Sequence, residues 1–287
     1  MTTTTAAIHI DEVWPGDVIR AEEFSLVIAP RVYREWKFTG HGDVHHIPRI
    51  PNIESETKSA STDVTMRNYT DTEQTITINV HQAAGFEEED IVSLLSKTNL
   101  AMEMKRKIGY TLGRAIDVNL ATLPQNFSQI VGTLGVEATY DNLVRAWQYL
   151  ADAGVTVNNN CSWIFSPATQ AGFLKQDIFI SQLYQGDNPR AVQDAKIGQI
   201  LGAPVFISNL TRAPSAGQSE SFLIDRRAIG LIMAQEVKIV TEYIAKSLAN
   251  VVVGHQVYGY SEVDRYAETP GNITAGDAWA VLVRTVG

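Results

Sequence analysis

Hydrophobic and polar positions along the chain fall into blocks of different period. Residues 1–39 show no helical period: a Thr/Ala-rich start, a turn signal at Trp14-Pro15-Gly16 and the short apolar run Leu26-Val27-Ile28-Ala29, ended by Pro30, predict an extended arm and a first strand. Between Gly40 and Val80 two strand-like pieces, His41–Ile50 and Met66–Val80, flank a polar stretch, Asn52–Asp63, dense in Ser, Thr and Glu. Thr75-Ile76-Thr77-Ile78-Asn79-Val80 alternates strictly, the period of a strand with one covered face. Pro48 and Pro51 confine the first piece to an edge or irregular strand. Together they predict a protruding β-ribbon with a polar tip. Such a ribbon buries little against itself and needs a partner surface.

From Gly85 the period becomes helical. Ile91, Leu94/Leu95, Thr98, Ala101/Met102, Lys105, Ile108, Leu112, Ala115/Ile116 and Asn119 recur at three- and four-residue steps and form one stripe. Glu87-Glu88-Glu89-Asp90 puts negative charge where a helix dipole favours it, and Pro124 closes the segment. Glu89–Ala121 is therefore predicted as one rod, roughly 50 Å long at 1.5 Å per residue. Gly109 and Gly113 share a face that lets a neighbour come close.

Beyond Pro124 the pattern is mixed. Helices are predicted at Tyr140–Ala153, with Leu143, Val144, Trp147 and Leu150 on one face, at Pro167–Leu174, and as an apolar segment around Ala228–Ala234. Strands are predicted at Ser162–Phe165, Ala203–Ser208, Phe222–Ile224, Val237–Val240, Val251–Val253, Gln256–Tyr260 and Ala278–Val283. Helical and strand segments interleave, so a second domain would be built from discontinuous pieces.

Composition narrows the functional classes. The 287 residues are 45% hydrophobic and 19% charged, an ordinary globular balance. At about 150 residues per domain that length allows one large domain or two modest ones. There are 23 Lys and Arg against 32 Asp and Glu, a formal charge of −9, and an acidic chain is poorly suited to coating nucleic acid. Cys161 is the single cysteine, so no intrachain disulfide forms. Met1–Ala7 lacks the basic and apolar regions of a signal peptide, and no stretch approaches the roughly 18 apolar residues of a membrane span. The expectation is a soluble protein made in the cytoplasm.

Candidate chemistry is thin. His41, Asp43, His45 and His46 lie within six residues and could ligate zinc. The run differs from the His-x-His-x-Asp-His pattern of metallo-β-lactamase-like hydrolases by an exchange of Asp and His, and a His-rich ribbon base is the preferred reading. Cys161, entering an apolar strand, reads as a buried inert thiol rather than a nucleophile. No Gly-x-Ser-x-Gly elbow, phosphate loop or dinucleotide fingerprint occurs. Lys105-Arg106-Lys107 is read as a solvated or intersubunit face, because no aromatic residue interleaves it.

Three stretches carry a family resemblance: Asp43-Val44-His45-His46-Ile47-Pro48-Arg49, Ile197-Gly198-Gln199-Ile200-Leu201-Gly202-Ala203-Pro204-Val205 and Gln256-Val257-Tyr258-Gly259-Tyr260. With the order of parts around them, they resemble the major capsid proteins of tailed bacteriophages, the Hong Kong 97-type fold. The resemblance spans nearly the whole chain and implies an α+β subunit with an N-terminal arm, extended β-ribbon loop, long spine helix and mixed α/β axial domain. Its parts would be 1–39 arm and first strand, 40–80 extended loop, 81–131 peripheral domain with spine helix, 132–240 axial domain and 241–287 return to the peripheral domain.

The implied function is structural rather than enzymatic. Copies of the chain would form homo-pentamers and homo-hexamers of an icosahedral head, assembled in the host cytoplasm and kept in the virion. That head would enclose double-stranded DNA without sequence-specific binding. Portal and scaffolding proteins, and a decoration protein, are the implied partners; no cofactor, metal or membrane is. Arg49, Glu54, Glu56, Lys58 and Arg67 are the expected intersubunit contacts. The same-fold alternative is an encapsulin-like nanocompartment shell. The alternative of a different class is a soluble metal-dependent hydrolase using His41, Asp43, His45 and His46. Some members of the resembled family link an extended-loop Lys covalently to a distant Asn. Lys58 is the only Lys of the tip, and no motif marks a partner Asn or a catalytic Glu. Boiled, denatured particles are therefore predicted to run as a single band; a ladder of multiples would contradict this.

Overall fold

A computed structural model of the chain describes residues 26–34, 36, 38, 41–49, 55–66, 68, 72–95, 100–180, 198–263, 265–266, 275–276 and 279–286. The expected arm before Leu26, and Glu54 and Arg67, lie outside the described residues.

In chain order, β1 (Val44–Arg49), β2 (Thr72–Thr77) and β3 (Val80–Glu89) are followed by α1 (Asp90–Leu95) and α2 (Leu100–Thr122). Next come β4 (Ile130–Gly132), α3 (Tyr140–Asp152), β5 (Cys161–Phe165), α4 (Pro167–Phe173) and α5 (Asp177–Ile180). The chain ends with β6 (Gln199–Ile200), β7 (Ala203–Ile207), β8 (Gln218–Asp225), β9 (Ile229–Ile244), β10 (Ala249–Glu262), β11 (Arg265–Tyr266), β12 (Ala275–Gly276) and β13 (Ala280–Val286). Among the described residues no helix is long and apolar enough to cross a membrane.

Two sheets dominate. One is an antiparallel, three-stranded sheet in the order β3-β10-β9. The other has six strands in the order β4-β13-β8-β5-β7-β6, with β4 parallel to β13 and β5 parallel to β7. The six-stranded sheet is covered on both sides, and strand alternation sorts its residues between them. Trp163, Phe165, Leu223, Val281 and Val283 face Leu143, Ala146 and Leu150 of α3 and Phe173 of α4. The alternate positions Ile164, Phe222, Ile224, Ala280 and Leu282 face Ile116 and Leu120 of α2, Phe127, Ile28 and Val32.

Several expectations shift for definable reasons. The predicted helix around Ala228–Ala234 is the start of β9, because β10 pairs with it from Ile229 to Ile244 and its Ile, Leu and Met side chains suit a covered strand equally well. Glu87, Glu88 and Glu89 do not open a helix; they extend β3 by pairing with Val251, Asn250 and Ala249. Of the predicted rod Glu89–Ala121, residues 90–95 lie in α1 and 100–121 in α2, and 96–99 lie outside the described residues. The predicted strand Met66–Val80 becomes β2 and the first residue of β3. On α3 the buried stripe is Leu143, Ala146 and Leu150, while Trp147 sits at the exposed rim.

Helix α2 joins the two sheets. Its first half sets Ile108 and Leu112 on Val252 with Ala84 and Phe86, and its second half enters the core under the six-stranded sheet. Gly254 permits this crossing, since a Cβ there would collide with Ile108. Gln256 beside it donates from Nε2 to the Leu112 carbonyl at 2.9 Å. One charged residue lies in the buried stripe. Asp117, with no exposed surface, accepts from the backbone N–H groups of Val27 at 2.6 Å, Ile28 at 3.1 Å and Ala29 at 2.8 Å. It pins the segment before the Ala29–Arg31 turn to the helix, so that Ile28 and Val32 complete the core. Asp117→Asn replaces one accepting oxygen by a donor facing two N–H groups. It is expected to lower subunit stability by about 2–4 kcal/mol in urea unfolding; an unchanged midpoint would contradict the assignment.

Candidate assembly surfaces

The ribbon predicted from alternation is built by β1 and β2, antiparallel from Val44 opposite Thr77 to Arg49 opposite Thr72. Its root is fixed to the three-stranded sheet. Gln74 Nε2 donates to the Glu262 carbonyl of β10 at 2.7 Å, while the two legs are joined to each other at the root by Ile78 N–H donating to the Asp43 carbonyl at 2.7 Å. Tyr33 N–H donates to the Ile229 carbonyl and Leu231 N–H to the Tyr33 carbonyl, both at 2.9 Å. Trp36 packs edge-on to Tyr33 with ring centroids 4.5 Å apart. Gly259 lets the root pass over β10, where a Cβ would meet the Thr77 carbonyl and Ile78. Ile76 is wholly buried in this joint.

Away from the root the described residues of the ribbon form no core. Residues 55–66 are all exposed, Val64 at 51% and Met66 at 91%. The tip turns at Ser59–Thr62, where Thr62 Oγ1 donates to the Ser59 carbonyl at 2.9 Å and Ser61 takes a positive φ of 68°. Glu56 accepts from the Thr65 backbone N–H and clasps the two legs together.

A second exposed surface lies at the far end of the three-stranded sheet, about a β10 length from the root: 14 residues, or some 45 Å. Glu236–Ile244 of β9 are exposed throughout, so neither face of the strand is covered there. Val237, Ile239, Val240, Tyr243 and Ile244 are 39–49% exposed, and Ile91 and Leu94 of α1 reach 60% and 83%. Asp90 ties these parts: its N–H donates to the Leu248 carbonyl, and its carboxylate accepts from the Tyr243 hydroxyl, both at 2.9 Å. Leu248 in the β9–β10 turn has φ 49° and is 61% exposed. A branched apolar side chain held in left-handed backbone and in water is costly on both counts, and such cost collects where a surface is used.

No protein-family profile and no curated protein matches the sequence. Solved structures do match. A capsid structure of the cyanophage P-SCSP1u superposes with a TM-score of 0.79 at 12% identity, covering 99% of this chain and 95% of that one. A structure of Mycobacterium phage Che8 gives 0.79 at 18% identity, covering 96% of both chains. The head structure of Helicobacter pylori bacteriophage KHP40 gives 0.78 at 10% identity, covering 99% of this chain and 98% of that one. The chain has the Hong Kong 97-type phage capsid fold.

In this fold the nominated loop residues take different places. Arg49 ends β1 opposite Thr72, Lys58 stands on the exposed tip, and Glu56 is engaged within the loop itself. The distal patch escaped the sequence reading. Its β9 stretch alternates apolar and polar side chains only partly, and nothing local reveals that both of its faces stay exposed.

The four-residue metal cluster is not assembled. Adjacent strand positions point to opposite faces, so His45 turns to Trp36, with ring centroids 5.9 Å apart, while His46 Nδ1 lies 3.1 Å from Glu73 Oε2. Among the described residues no group of three or more His, Cys, Asp or Glu is placed to hold a metal, which removes the basis for the hydrolase alternative. Cys161 is fully buried, its Sγ 3.8 Å from Asp225 Oδ2. Burial chiefly, with the Asp225 carboxylate adding to it, pushes the thiol up to about 11. Asp225 meanwhile holds Arg227 through Nε at 2.9 Å and Nη2 at 3.1 Å. Iodoacetamide at pH 8 is expected to leave the folded chain unlabelled and to label it stoichiometrically in denaturant; rapid labelling of the folded chain would contradict this placement.

Proposed function

We propose that the chain is the major capsid protein of a tailed phage, a structural subunit without enzymatic activity. The observation that carries the reading is the fold match, which runs over nearly the whole chain in phage capsid structures. In this reading residues 40–80 are the extended loop, 81–131 the peripheral domain with the spine helix, 132–240 the axial domain and 241–287 the return to the peripheral domain.

Two exposed surfaces of unlike character, the ribbon tip and the far end of the three-stranded sheet, support self-assembly. The ribbon tip is largely polar, with isolated Val64 and Met66, whereas the distal hairpin is broadly apolar. Such surfaces suit head-to-tail contacts, and head-to-tail contacts that close make rings. In this proposal the rings are homo-pentamers and homo-hexamers that tile an icosahedral head around double-stranded DNA, a reading that the fold match supports. Arg49, Glu54, Glu56, Lys58 and Arg67 would then face neighbouring copies. A charge of −9 suits a container that must admit and release DNA rather than grip it. Assembly in the host cytoplasm with portal and scaffolding proteins, a decoration protein, and residence in the virion belong to the same proposal.

Two variants test it by opposing signs. Leu248→Gly relieves the left-handed strain, so subunit stability should hold or rise while assembly falls at least tenfold, about 1.4 kcal/mol per contact. Reversing the tip charges with Glu56→Lys and Lys58→Glu together should lower particle yield while leaving the melting of the subunit in place. Assembly unchanged in both variants, read by sedimentation, would overturn the proposal.

A further inference from the structure

On the face of the three-stranded sheet turned away from α2, two histidines meet across β3 and β10. Val252, Gly254 and Gln256 of β10 point to the helix, so His255 points away from it, and His81 on β3 lies opposite Val257, one diagonal step along. His81 Nε2 and His255 Nδ1 are 3.3 Å apart, with ring planes at 69°. As a direct hydrogen bond that separation is long, since N–H donors usually sit about 2.9–3.0 Å from their acceptor. It matches another requirement. Two nitrogens each 2.0–2.1 Å from a tetrahedral metal lie about 3.3–3.4 Å apart.

We propose that His81 and His255 form a two-imidazole site for a divalent transition metal of the zinc, nickel or copper class, its remaining positions filled by water. The ligating atoms are Nε2 of His81 and Nδ1 of His255, which leaves the protons on Nδ1 and Nε2 respectively. The two donors belong to paired strands, so little backbone ordering is required on binding. The bound ion ties the edge strand β3 to the central strand β10, and only the folded pairing brings the donors together, so binding stabilises the fold. Lys238 of β9, directly opposite His255, is the nearest cation on that face by register and opposes the metal's charge. Glu87 and Glu89 of β3 and Glu242 of β9, opposite Val251, stand farther along the same face. The site is independent of the capsid reading, because it needs only one folded chain.

Titration of the purified chain with nickel or zinc chloride, followed calorimetrically and by thermal melting, tests this. One ion per chain is expected, with a raised melting temperature that disappears as the solution is acidified, because both imidazoles must be neutral to ligate. His81→Gln and His255→Gln should each abolish saturable binding while keeping the metal-free melting temperature, both side chains being at the sheet surface. Lys238→Ala should tighten binding several-fold. Copper(II) bound to the unmodified chain should show two nitrogen donors in its electron paramagnetic resonance spectrum, a reading that needs no variant. Absence of saturable binding, binding that survives either Gln variant, or a copper spectrum without two nitrogens would overturn the proposal.

Discussion

Helix α2 has to cover two sheets at once, and the rest of the fold follows from how its stripe is divided. Ile108 and Leu112 serve the three-stranded sheet, and Ile116 and Leu120 serve the six-stranded one. A stripe with two customers cannot slide: a shift of one turn would move each apolar pair off its sheet and carry Asp117 away from the three N–H groups it satisfies. The buried carboxylate therefore sets the register of the helix against the incoming chain at Val27–Ala29, besides closing the core. Because α2 is committed to both sheets, it leaves the outer half of β9 and the β9–β10 turn without a cover.

That uncovered end and the ribbon give the molecule its character. A small domain normally bends its edges inward or blunts them with charge. Here β9 keeps Val237, Ile239, Val240, Tyr243 and Ile244 in water, and the turn keeps Leu248 there in strained backbone. Among the described residues the ribbon is anchored by Trp36, by buried Ile76 and by the hydrogen bond from Gln74 to the Glu262 carbonyl. Both features are inefficient for an isolated chain and sensible for one surrounded by copies of itself, where apolar surface and open strand edges find partners.

Much of the fold was legible where one period dominates. The alternating run Thr75–Val80 is strand at both ends, its first three residues in the ribbon strand β2 and Val80 at the start of β3, and Tyr140–Ala153 reads as the amphipathic helix it is, give or take Trp147 at its rim. The failures share a cause. Ala228–Ala234 is an apolar run without a period, and only the pairing with β10 decides it as strand. Glu87–Glu89 look like a helix start until their partners Val251, Asn250 and Ala249 are known. The exposed surfaces were half visible: the polar tip is a local pattern, whereas the distal patch depends on what packs on β9 from elsewhere in the chain. The His81–His255 pair, 174 residues apart, has no signal in the sequence at all. The His41–His46 cluster gave the opposite lesson, since proximity in sequence on a strand separates neighbours to opposite faces.

Under the proposed function, this chain is completed by copies of itself in a closed shell. Sedimentation velocity of the purified, unmodified chain over a range of concentrations tests it most directly. A sharp, fast boundary of large closed particles is expected alongside free subunits or small rings, with little between them. A chain that stays monomeric or dimeric at every concentration would contradict it.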